Sequence, residues 1–470
     1  MTFFLAFLAC PKTVEPPVAA VAAPHPLDVR PEIGAPADFA PQAPQVFTLD
    51  NGTTVWLVER PGLPLVSVRM VLGGGKAMDP ADQPGLVNFS DTMLTHGAGD
   101  LNSTAFAGAL EQHALSLWAN SGQATTWVGL EATTDTLEVG LDLMASAVSA
   151  PRFDAEEVDR VRDRLIGEVQ MSLDSPATVA RWVADSFYFG EDHPLAHPGI
   201  GNQTSLTSIT AKDLKSSWSA RFAPERATFV VSGDVTQVDL KAQLEDSFGD
   251  WTGKPSPLPE IGPAAQASGY YLVDNPGATQ SVLRVVLPGW QADDPHYVPA
   301  TLGSVVLGGT FTSRLNRLLR EEKGYSYGAR AGVGAGPGYG RMVTSSSVRG
   351  DVTALALVDM LAEVERITQG IDAAELKKAQ GAAITDAVSA MESRSSIAAS
   401  LAGVVAMGQS PDRMAMELQT ARNASVSTVN AAMATLDTDA ALIVVVGDLS
   451  VIQPQLADVL PDVNWTVVEK

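Results

Sequence analysis

A repeated segment limits the possible folds of this chain more than any other feature. Residues 226–251 align with residues 440–465 at an offset of 214 without a gap. Both copies contain Val-Val-x-Gly-Asp, and in both a Trp follows the Asp by 17 residues. The repeat indicates a tandem duplication, and 470 residues suit two homologous domains of roughly 200 residues each.

Strand and helix patterns are mixed within each half of the chain. β-branched residues surround an Asn51-Gly52 turn in residues 47–60, and a second strand pattern follows at 65–72. Helical periodicity is present near 84–95, 103–115, 135–149 and 155–173, with strands near 117–132 and at 227–235. The pattern predicts an α+β fold of two tandem homologous domains, each a largely antiparallel sheet with helices packed on one face.

Composition shifts suggest where these domains begin and end. Residues 11–45 are rich in Pro and Ala and are expected to form a semi-extended tether, whereas a Pro/Gly/Ser-rich linker occupies residues 253–269. The predicted organisation is a signal or lipobox segment at 1–10, the tether at 11–45, an N-terminal domain at 46–252, the linker at 253–269 and a C-terminal domain at 270–470.

The sole cysteine, Cys10, ends a short apolar run, so no intramolecular disulfide can form. That run, residues 3–10, is too short to span a bilayer but resembles the core of a secretory signal. Bulky residues within it and the lack of a preceding Lys or Arg depart from that pattern, and an ordinary N-terminal segment is the alternative. We predict lipidation at Cys10 and a membrane-anchored lipoprotein of the bacterial periplasm, in the outer membrane where two membranes exist.

The formal net charge of −23 argues against nucleic acid as a partner, because binding phosphates requires clustered Lys and Arg. We therefore expect no nucleic-acid partner, and contact with a membrane only through the lipid anchor.

One predicted helix has the spacing of a metal site. In "GLVNFSDTMLTH", residues 85–96, the polar residues Asn88, Asp91, Thr92 and Thr95 fall on one helical face. Amide and hydroxyl oxygens are nevertheless poor zinc ligands. A polar helix stripe without a metal is the simpler interpretation.

Four segments together resemble the insulinase-like (pitrilysin) zinc peptidase family. They are "DNGTTVWLVERPGLPLVSVRMVLGGG", "DPADQPGLVNFSDTML", "FGEDHPLAHPGIG" and "LGGTFTSRLNRLLREEKGYSYGAR". The resemblance covers roughly residues 46–470 and implies a mitochondrial-processing-peptidase-like pair of duplicated α+β domains.

The resemblance also implies that the zinc motif is degenerate. The family carries His-x-x-Glu-His on the helix described above, where two His bind zinc and the Glu activates water. Asn88 and Thr92 replace the two His, and Asp91 replaces the Glu. The third ligand of the family corresponds to Glu168, and Trp118 stands where the substrate cleft usually has a small polar residue. We therefore expect no metal on this chain.

A different metal site built from Asp91, His96 and Glu168 is the alternative, but the five-residue spacing of Asp91 and His96 fits one helical face poorly.

In the second half, the resemblance implies a preserved substrate-binding pair. Arg320 and Tyr327 match an Arg and a Tyr that, in the family, bind the substrate backbone near the scissile carbonyl. A guanidinium and a phenol are donors suited to a developing oxyanion. The alternative is an ion-paired Arg and a packed Tyr.

Two other motifs are expected to be coincidental. "GYSYG" places Ser326 in a Gly-x-Ser-x-Gly pattern, but a charged helix pattern precedes it where a nucleophile elbow needs a strand. His193 and His197 are four residues apart, but Pro194 and Pro198 forbid a regular helix.

These observations predict a zinc-less subunit of a heterodimeric peptidase. Its partner would be a homologous subunit that carries the zinc, and its substrates would be short or unfolded peptides added as a strand to a sheet edge. The alternatives are a scaffold or peptide-binding protein of the same fold and, less in keeping with the lost motif, a peptidase active alone.

Overall fold

The computed structural model describes residues 39–469, which belong to one compact unit. Cys10, the whole of segment 1–10 and the predicted tether up to residue 38 lie outside the described residues. Within the described range, no helix combines the length and apolar character needed to cross a bilayer.

The first half contains a six-stranded sheet with the order β1-β2-β8-β3-β7-β6. Only β2 and β8 pair in parallel, and the other neighbours are antiparallel. The strands are β1 (Gln45–Thr48), β2 (Thr54–Glu59), β3 (Leu65–Gly73), β6 (Ser116–Ser121), β7 (Thr125–Thr133) and β8 (Ala227–Gly233), with a separate two-stranded ribbon of β4 (Gly97–Ala98) and β5 (Leu101–Asn102).

The second half contains another six-stranded sheet, with the order β11-β12-β10-β13-β9-β14. Strand β9 pairs in parallel with both neighbours, and the remaining pairs are antiparallel. The strands are β9 (Gly269–Asp274), β10 (Gln280–Pro288), β11 (Ser326–Gly336), β12 (Tyr339–Arg349), β13 (Leu442–Gly447) and β14 (Trp465–Val468).

The two sheets repeat the same topology. The order β2-β8-β3-β7-β6 in the first half corresponds strand by strand to β9-β13-β10-β12-β11 in the second. Residues 226–251 form β8 and the helix Gln237–Phe248, and residues 440–465 form β13 and the helix Leu449–Val459. The sixth strands differ, because β1 is antiparallel to β2 whereas β14 is parallel to β9. The predicted α+β fold with duplicated, largely antiparallel sheets is confirmed.

Helices make up most of the remaining structure. In the first half they are α1 (Leu86–Met93), α2 (Ser103–Gln112), α3 (Leu137–Ser149), α4 (Ala155–Leu173), α5 (Pro176–Phe189), α6 (Gln203–Ser208), α7 (Ala211–Ser219) and α8 (Gln237–Phe248). In the second half they are α9 (Tyr297–Ser304), α10 (Thr353–Thr368), α11 (Ala373–Ala390), α12 (Arg394–Ala406), α13 (Arg413–Asn423), α14 (Val426–Met433) and α15 (Leu449–Val459), with π-helical segments at Val305–Gly309 and Asn316–Glu322.

Each sheet is covered on both faces, although only one covered face was predicted. On one face of each sheet, helices of its own half pack to form a large apolar core. The other face is covered by a helix from the opposite half. Helix α12 packs on β3 and β8 of the first sheet, and α5 packs on β10 and β13 of the second. Apolar residues such as Val71 and Val230 on this second face make the exchange favourable.

The packed chain also begins earlier than predicted. The tether was expected to extend to residue 45, but Phe39 packs against the cluster formed by α12 and the first sheet. Pro41 and Pro44, which follow it, are buried as well. The connection between the halves, residues 251–268, contains neither helix nor strand.

Candidate functional site

Helix α1 carries the residues that correspond to the degenerate zinc motif. It begins after Gly85, whose φ of 91° and close approach to Gly201 exclude a side chain. The Asp79 carboxylate accepts hydrogen bonds from the amides of Gly85 and Val87 at 2.8 and 2.7 Å and so fixes the start of the helix. Burial raises the pKa of Asp79 to about 7.

Asp91, at the catalytic-glutamate position of the family, is fully buried. Its carboxylate accepts a hydrogen bond from Arg221 Nη1 at 2.6 Å and another from the Thr126 hydroxyl at 2.8 Å. Arg221 is itself fully buried and also donates to the Ser90 hydroxyl at 3.1 Å. Burial raises the pKa of Asp91, and the positive charge of Arg221 opposes that rise. Asp91 is thus part of a buried polar network in which internal donors occupy its oxygens.

The other degenerate positions bind partners of their own. Asn88 Oδ1 accepts a 3.5 Å hydrogen bond from Ser121, and the Thr92 hydroxyl donates to the Asn88 carbonyl oxygen at 2.8 Å. Glu168, on α4, accepts a 2.6 Å hydrogen bond from Arg164 one helical turn away. An amide, a back-bonded hydroxyl and an Arg-paired carboxylate do not form a zinc donor set.

The alternative metal site does not assemble either. His96 lies beside Glu157 and Arg160 at 3.6 and 3.1 Å instead of joining Asp91. Over residues 39–469, no cluster of three His, Cys, Asp or Glu side chains is arranged to hold a metal ion.

Trp118 lies on β6, directly opposite Gly129 of β7. The indole occupies the space a side chain at Gly129 would need, since a Cβ there would lie 2.2 Å from the ring. The Arg69 guanidinium lies 5.0 Å from the indole centroid. The Trp therefore fills part of the surface of the first sheet near its edge strand.

Arg320 and Tyr327 are brought together in one cleft. Arg320 belongs to the π-helical segment Asn316–Glu322, and Tyr327 is the second residue of β11. Both line a cleft of ≈ 690 Å³. The Tyr327 side chain is 90% exposed, so the alternative of a packed Tyr is wrong.

Arg320 has only weak local partners. Its guanidinium lies 4.0 Å from the Phe311 ring centroid and 3.4 Å from the Glu321 carboxylate. Phe311 and Glu321 are both largely exposed, so this contact leaves the guanidinium accessible from the cleft.

The degenerate motif faces a different cleft. Asn88 lines a space of ≈ 410 Å³ together with Lys76, Arg181, Asp185 and residues of both halves. This space shares no lining residue with the cleft that contains Arg320 and Tyr327. Within one chain, the preserved pair and the lost zinc motif are therefore in separate clefts.

The two coincidental motifs have structural roles. The Ser326 hydroxyl donates to the Gly328 carbonyl oxygen at 2.7 Å and lies 2.8 Å from the Ser346 hydroxyl, in a strand that follows a helix. His193 Nδ1 accepts from the Leu195 amide at 3.0 Å in a turn that also includes His197. Neither arrangement provides a nucleophile with an adjacent base or a metal site.

Several charged residues of these sites were missed by the sequence analysis. Arg221 is 130 positions from Asp91, and Arg341 is 156 positions from its partner Asp185. No local pattern reports such pairs, because hydrophobic periodicity does not distinguish a buried Arg from an exposed one.

The comparisons with known proteins agree with the fold. The family model for insulinase (peptidase family M16) matches residues 54–191, and the model for the peptidase M16 inactive domain matches residues 208–382. The chain belongs to the insulinase-like, or M16, peptidase family.

Some similar proteins are named as zinc proteases, and one is named as a non-peptidase homologue. An uncharacterised zinc protease of Mycobacterium tuberculosis is 26% identical over 72% of this chain and 76% of its own length. A non-peptidase homologue of Helicobacter pylori is 22% identical over 56% of this chain and 61% of its own. The match to an uncharacterised zinc protease of Mycobacterium leprae spans 63% of that protein.

Solved structures show the same fold. A peptidase M16 inactive domain from Pseudomonas fluorescens has a TM-score of 0.80 at 24% identity, covering 86% of this chain and 98% of that one. A protease from Helicobacter pylori has a TM-score of 0.80 at 17% identity, covering 87% and 100%. The chain is a peptidase-like member of the family whose residues at the zinc-motif positions do not form a zinc donor set.

Proposed function

We propose that this chain is the non-catalytic subunit of a heterodimeric peptidase and supplies Arg320 and Tyr327 to a zinc site on a homologous partner. The observation that carries the proposal is the exposed Tyr327 ring, which lines one cleft with Arg320 in a chain whose α1 residues do not fit zinc. Zinc, when bound by the partner, would polarise the scissile carbonyl and activate water.

The chemistry of the pair supports this role. During peptide hydrolysis, negative charge grows on the carbonyl oxygen, and preorganised donors lower the barrier by stabilising that charge. The Tyr327 hydroxyl and the Arg320 guanidinium are such donors. A phenol that is 90% exposed contributes little to the fold of an isolated chain but is accessible to a partner.

Sheet topology supports peptide binding near the pair. Strand β11, which carries Tyr327, is the edge strand of the second sheet. An edge strand presents unpaired amides and carbonyls to an added peptide strand. A peptide bound there would run beside the side chains that act on its backbone.

A scaffold or peptide-binding protein is the second candidate function. It is favoured by the same free edge of β11 and by the equivalent free edge of β6 in the first sheet. Either edge allows a peptide to bind without cleavage.

Reconstitution with the zinc-bearing homologue of the same organism tests the proposal. Tyr327→Phe keeps the ring and removes one donor, so turnover of a fluorogenic peptide should fall roughly 10²–10³-fold with assembly unchanged. Arg320→Ala should also lower turnover, with circular dichroism as a folding control because the guanidinium packs over Phe311. Ser326→Ala tests the coincidental Gly-x-Ser-x-Gly motif: turnover should persist, whereas loss of a serine nucleophile would abolish it.

Full activity of both Tyr327→Phe and Arg320→Ala would overturn the shared-site proposal. Retained peptide binding with no cleavage in any mixture would favour the scaffold instead.

A further inference from the structure

The cleft next to the degenerate motif is lined by cations from both halves of the chain. Lys76 precedes α1, Arg181 lies on α5, and Arg341 lies on β12 of the second sheet. Arg284 of β10 is adjacent to this group, since the charges of Arg181 and Arg341 both act on it. The cleft that Lys76, Arg181 and Arg341 line has a volume of ≈ 410 Å³, and Arg284 lies behind its wall.

Few negative charges balance these four cations. Asp185 is the one carboxylate that lines the cleft among the described residues, and it accepts a 2.6 Å hydrogen bond from Arg341. Asp79 acts on Lys76, but its carboxylate is already bound by two backbone amides at the start of α1. In a chain of net charge −23, this local excess of positive charge is unusual.

Several donors in the group have no protein acceptor. Arg284 Nε is buried and has no hydrogen-bond partner within residues 39–469. The Arg181 side chain makes no hydrogen bond or ion pair with the part of the chain that the structure describes. Lys76 Nζ donates to the carbonyl oxygens of Leu195 and His197 at 2.9 and 2.7 Å. The third of its three N–H groups is available to a ligand.

The electrostatic cost of this arrangement is visible in two pKa values. Burial lowers the pKa of Lys76 to about 8, and the charges of Arg181 and Arg341 lower it further while Asp185 opposes them. Burial likewise lowers the pKa of Arg284 to about 10. An anion bound among these groups would supply the missing acceptors and offset the repulsion between them.

We propose that this cleft binds a carboxylate group of a peptide, supplied either by an acidic side chain or by the C-terminus. Guanidinium groups bind carboxylates through two parallel N–H···O bonds, and Arg181, which lines the cleft, has no acceptor among the described residues. The identification of a peptide as the carrier rests on the proposed function.

The location of the cleft explains why a peptide suits it better than a free small anion. Ser121, the last residue of edge strand β6, and the adjacent Gln123 line the cleft together with the cations. A peptide added as a strand along β6 would therefore extend directly past Lys76 and Arg181. A side-chain carboxylate and a C-terminal carboxylate share this chemistry.

Calorimetry on the full chain alone, with three peptides of one neutral sequence, tests the proposal. The first peptide has two Glu residues and an amidated C-terminus, the second has Gln at the same positions, and the third is the Gln peptide with a free C-terminal carboxylate. We expect the Glu peptide, the free-carboxylate peptide or both to bind at least about tenfold more tightly than the amidated Gln peptide, the size of one charge-assisted hydrogen bond. The stronger of the two identifies the source of the carboxylate.

Variants assign the effect to the cleft. Arg181 is exposed at the cleft wall, so Arg181→Gln should keep the fold and lower the affinity for the carboxylate peptide about tenfold. Lys215→Gln removes the same charge from the exposed face of α7 and is the matched control. Arg284→Gln, in the interior of the group, should have an effect similar to that of Arg181→Gln.

Equal binding of all three peptides would overturn the proposal, as would equal losses in Arg181→Gln and Lys215→Gln. Tight binding of inorganic phosphate that leaves peptide binding unchanged would also overturn it, because the site would then hold a free anion. The measurement needs no partner subunit and no cleavage, so its outcome is separate from that of the Tyr327 turnover test.

Discussion

At the residue scale, Asp91, at the catalytic-glutamate position of the family, forms a buried ion pair with Arg221. Neither side chain has appreciable contact with solvent, and each bonds additional polar groups at Thr126 and Ser90. A buried ion pair contributes little net stability compared with apolar residues of the same size, but loss of one partner is costly. The pair thus makes α1 depend on an Arg located between α7 and β8.

The stability of the chain should reflect this dependence. Asp91→Asn leaves an uncompensated buried guanidinium and should lower the free energy of unfolding by about 3–5 kcal/mol. The double variant Asp91→Asn/Arg221→Met should lose less free energy of unfolding than Asp91→Asn alone, because it no longer contains an unpaired buried charge. Urea denaturation followed by circular dichroism measures both.

The control for this cycle is Asp159→Asn, which removes an exposed Asp from an ion pair with Arg162 and should change stability little. Equal unfolding midpoints for Asp91→Asn and Asp159→Asn would contradict the structural role of the buried pair.

The positions of the site residues were largely predictable from sequence, whereas their partners were not. Helical periodicity placed Asn88, Asp91 and Thr92 on one helix, and the structure has them on α1. The family resemblance paired Arg320 with Tyr327, and both line one cleft. The partners arise from tertiary packing between segments more than 100 residues apart, which local patterns do not encode.

At the element scale, helix bounds agree with the sequence where periodicity and capping coincide. The predicted helix at 155–173 is α4, Ala155–Leu173. The helix predicted at 103–115 ends at Gln112, because the chain turns at Ala114 into the left-handed region with φ 51°. The sequence showed the duplication only in one strand and the helix after it. The structure shows that four further strands of each sheet also occur in the same order.

The exchange of α5 and α12 between halves was not predictable from sequence. An apolar helix face and an apolar sheet face are both visible in sequence, but nothing local states that they belong to each other. Helix α12 lies in the second half and packs with Ile397 and Leu401 against Val71 and Val230 of the first sheet.

A core substitution on α12 should therefore weaken the first half of the chain. Leu401 is 1% exposed, so Leu401→Ala should lower the free energy of unfolding by about 2–5 kcal/mol. Hydrogen exchange should accelerate in β3 and β8 of the first half, although the substitution lies in the second. Leu355→Ala on α10 is the matched control, because that Leu is 48% exposed. If hydrogen exchange became faster only in the second half, the packing of α12 on the first sheet would be contradicted.

At the scale of the whole molecule, two halves with five corresponding strands in the same order carry different side chains. Asn88 of the zinc-motif helix lines a cleft whose cations come from both halves, whereas Arg320 and the exposed Tyr327 line a separate cleft at the free edge of the second sheet. A shared fold does not impose a shared function, because function depends on the side chains placed on it. The division suits a subunit that contributes to a site without containing the whole of it.

The location of the molecule is the remaining proposal, and it rests on Cys10. A net charge of −23 gives the chain no electrostatic attraction to anionic lipid surfaces, so membrane retention would depend on covalent lipid. We propose that lipidation at Cys10 holds the protein at the periplasmic side of a bacterial membrane, with the Pro/Ala-rich segment as a spacer before Phe39. The native protein should fractionate with membranes, and Cys10→Ser should release it to the soluble fraction while leaving the fold of residues 39–469 intact. Mass spectrometry should find a diacylglycerol adduct at Cys10 in the membrane fraction. A soluble native protein with an intact Met1 and an unmodified Cys10 would refute the anchor without affecting the roles proposed for Arg320 and Tyr327.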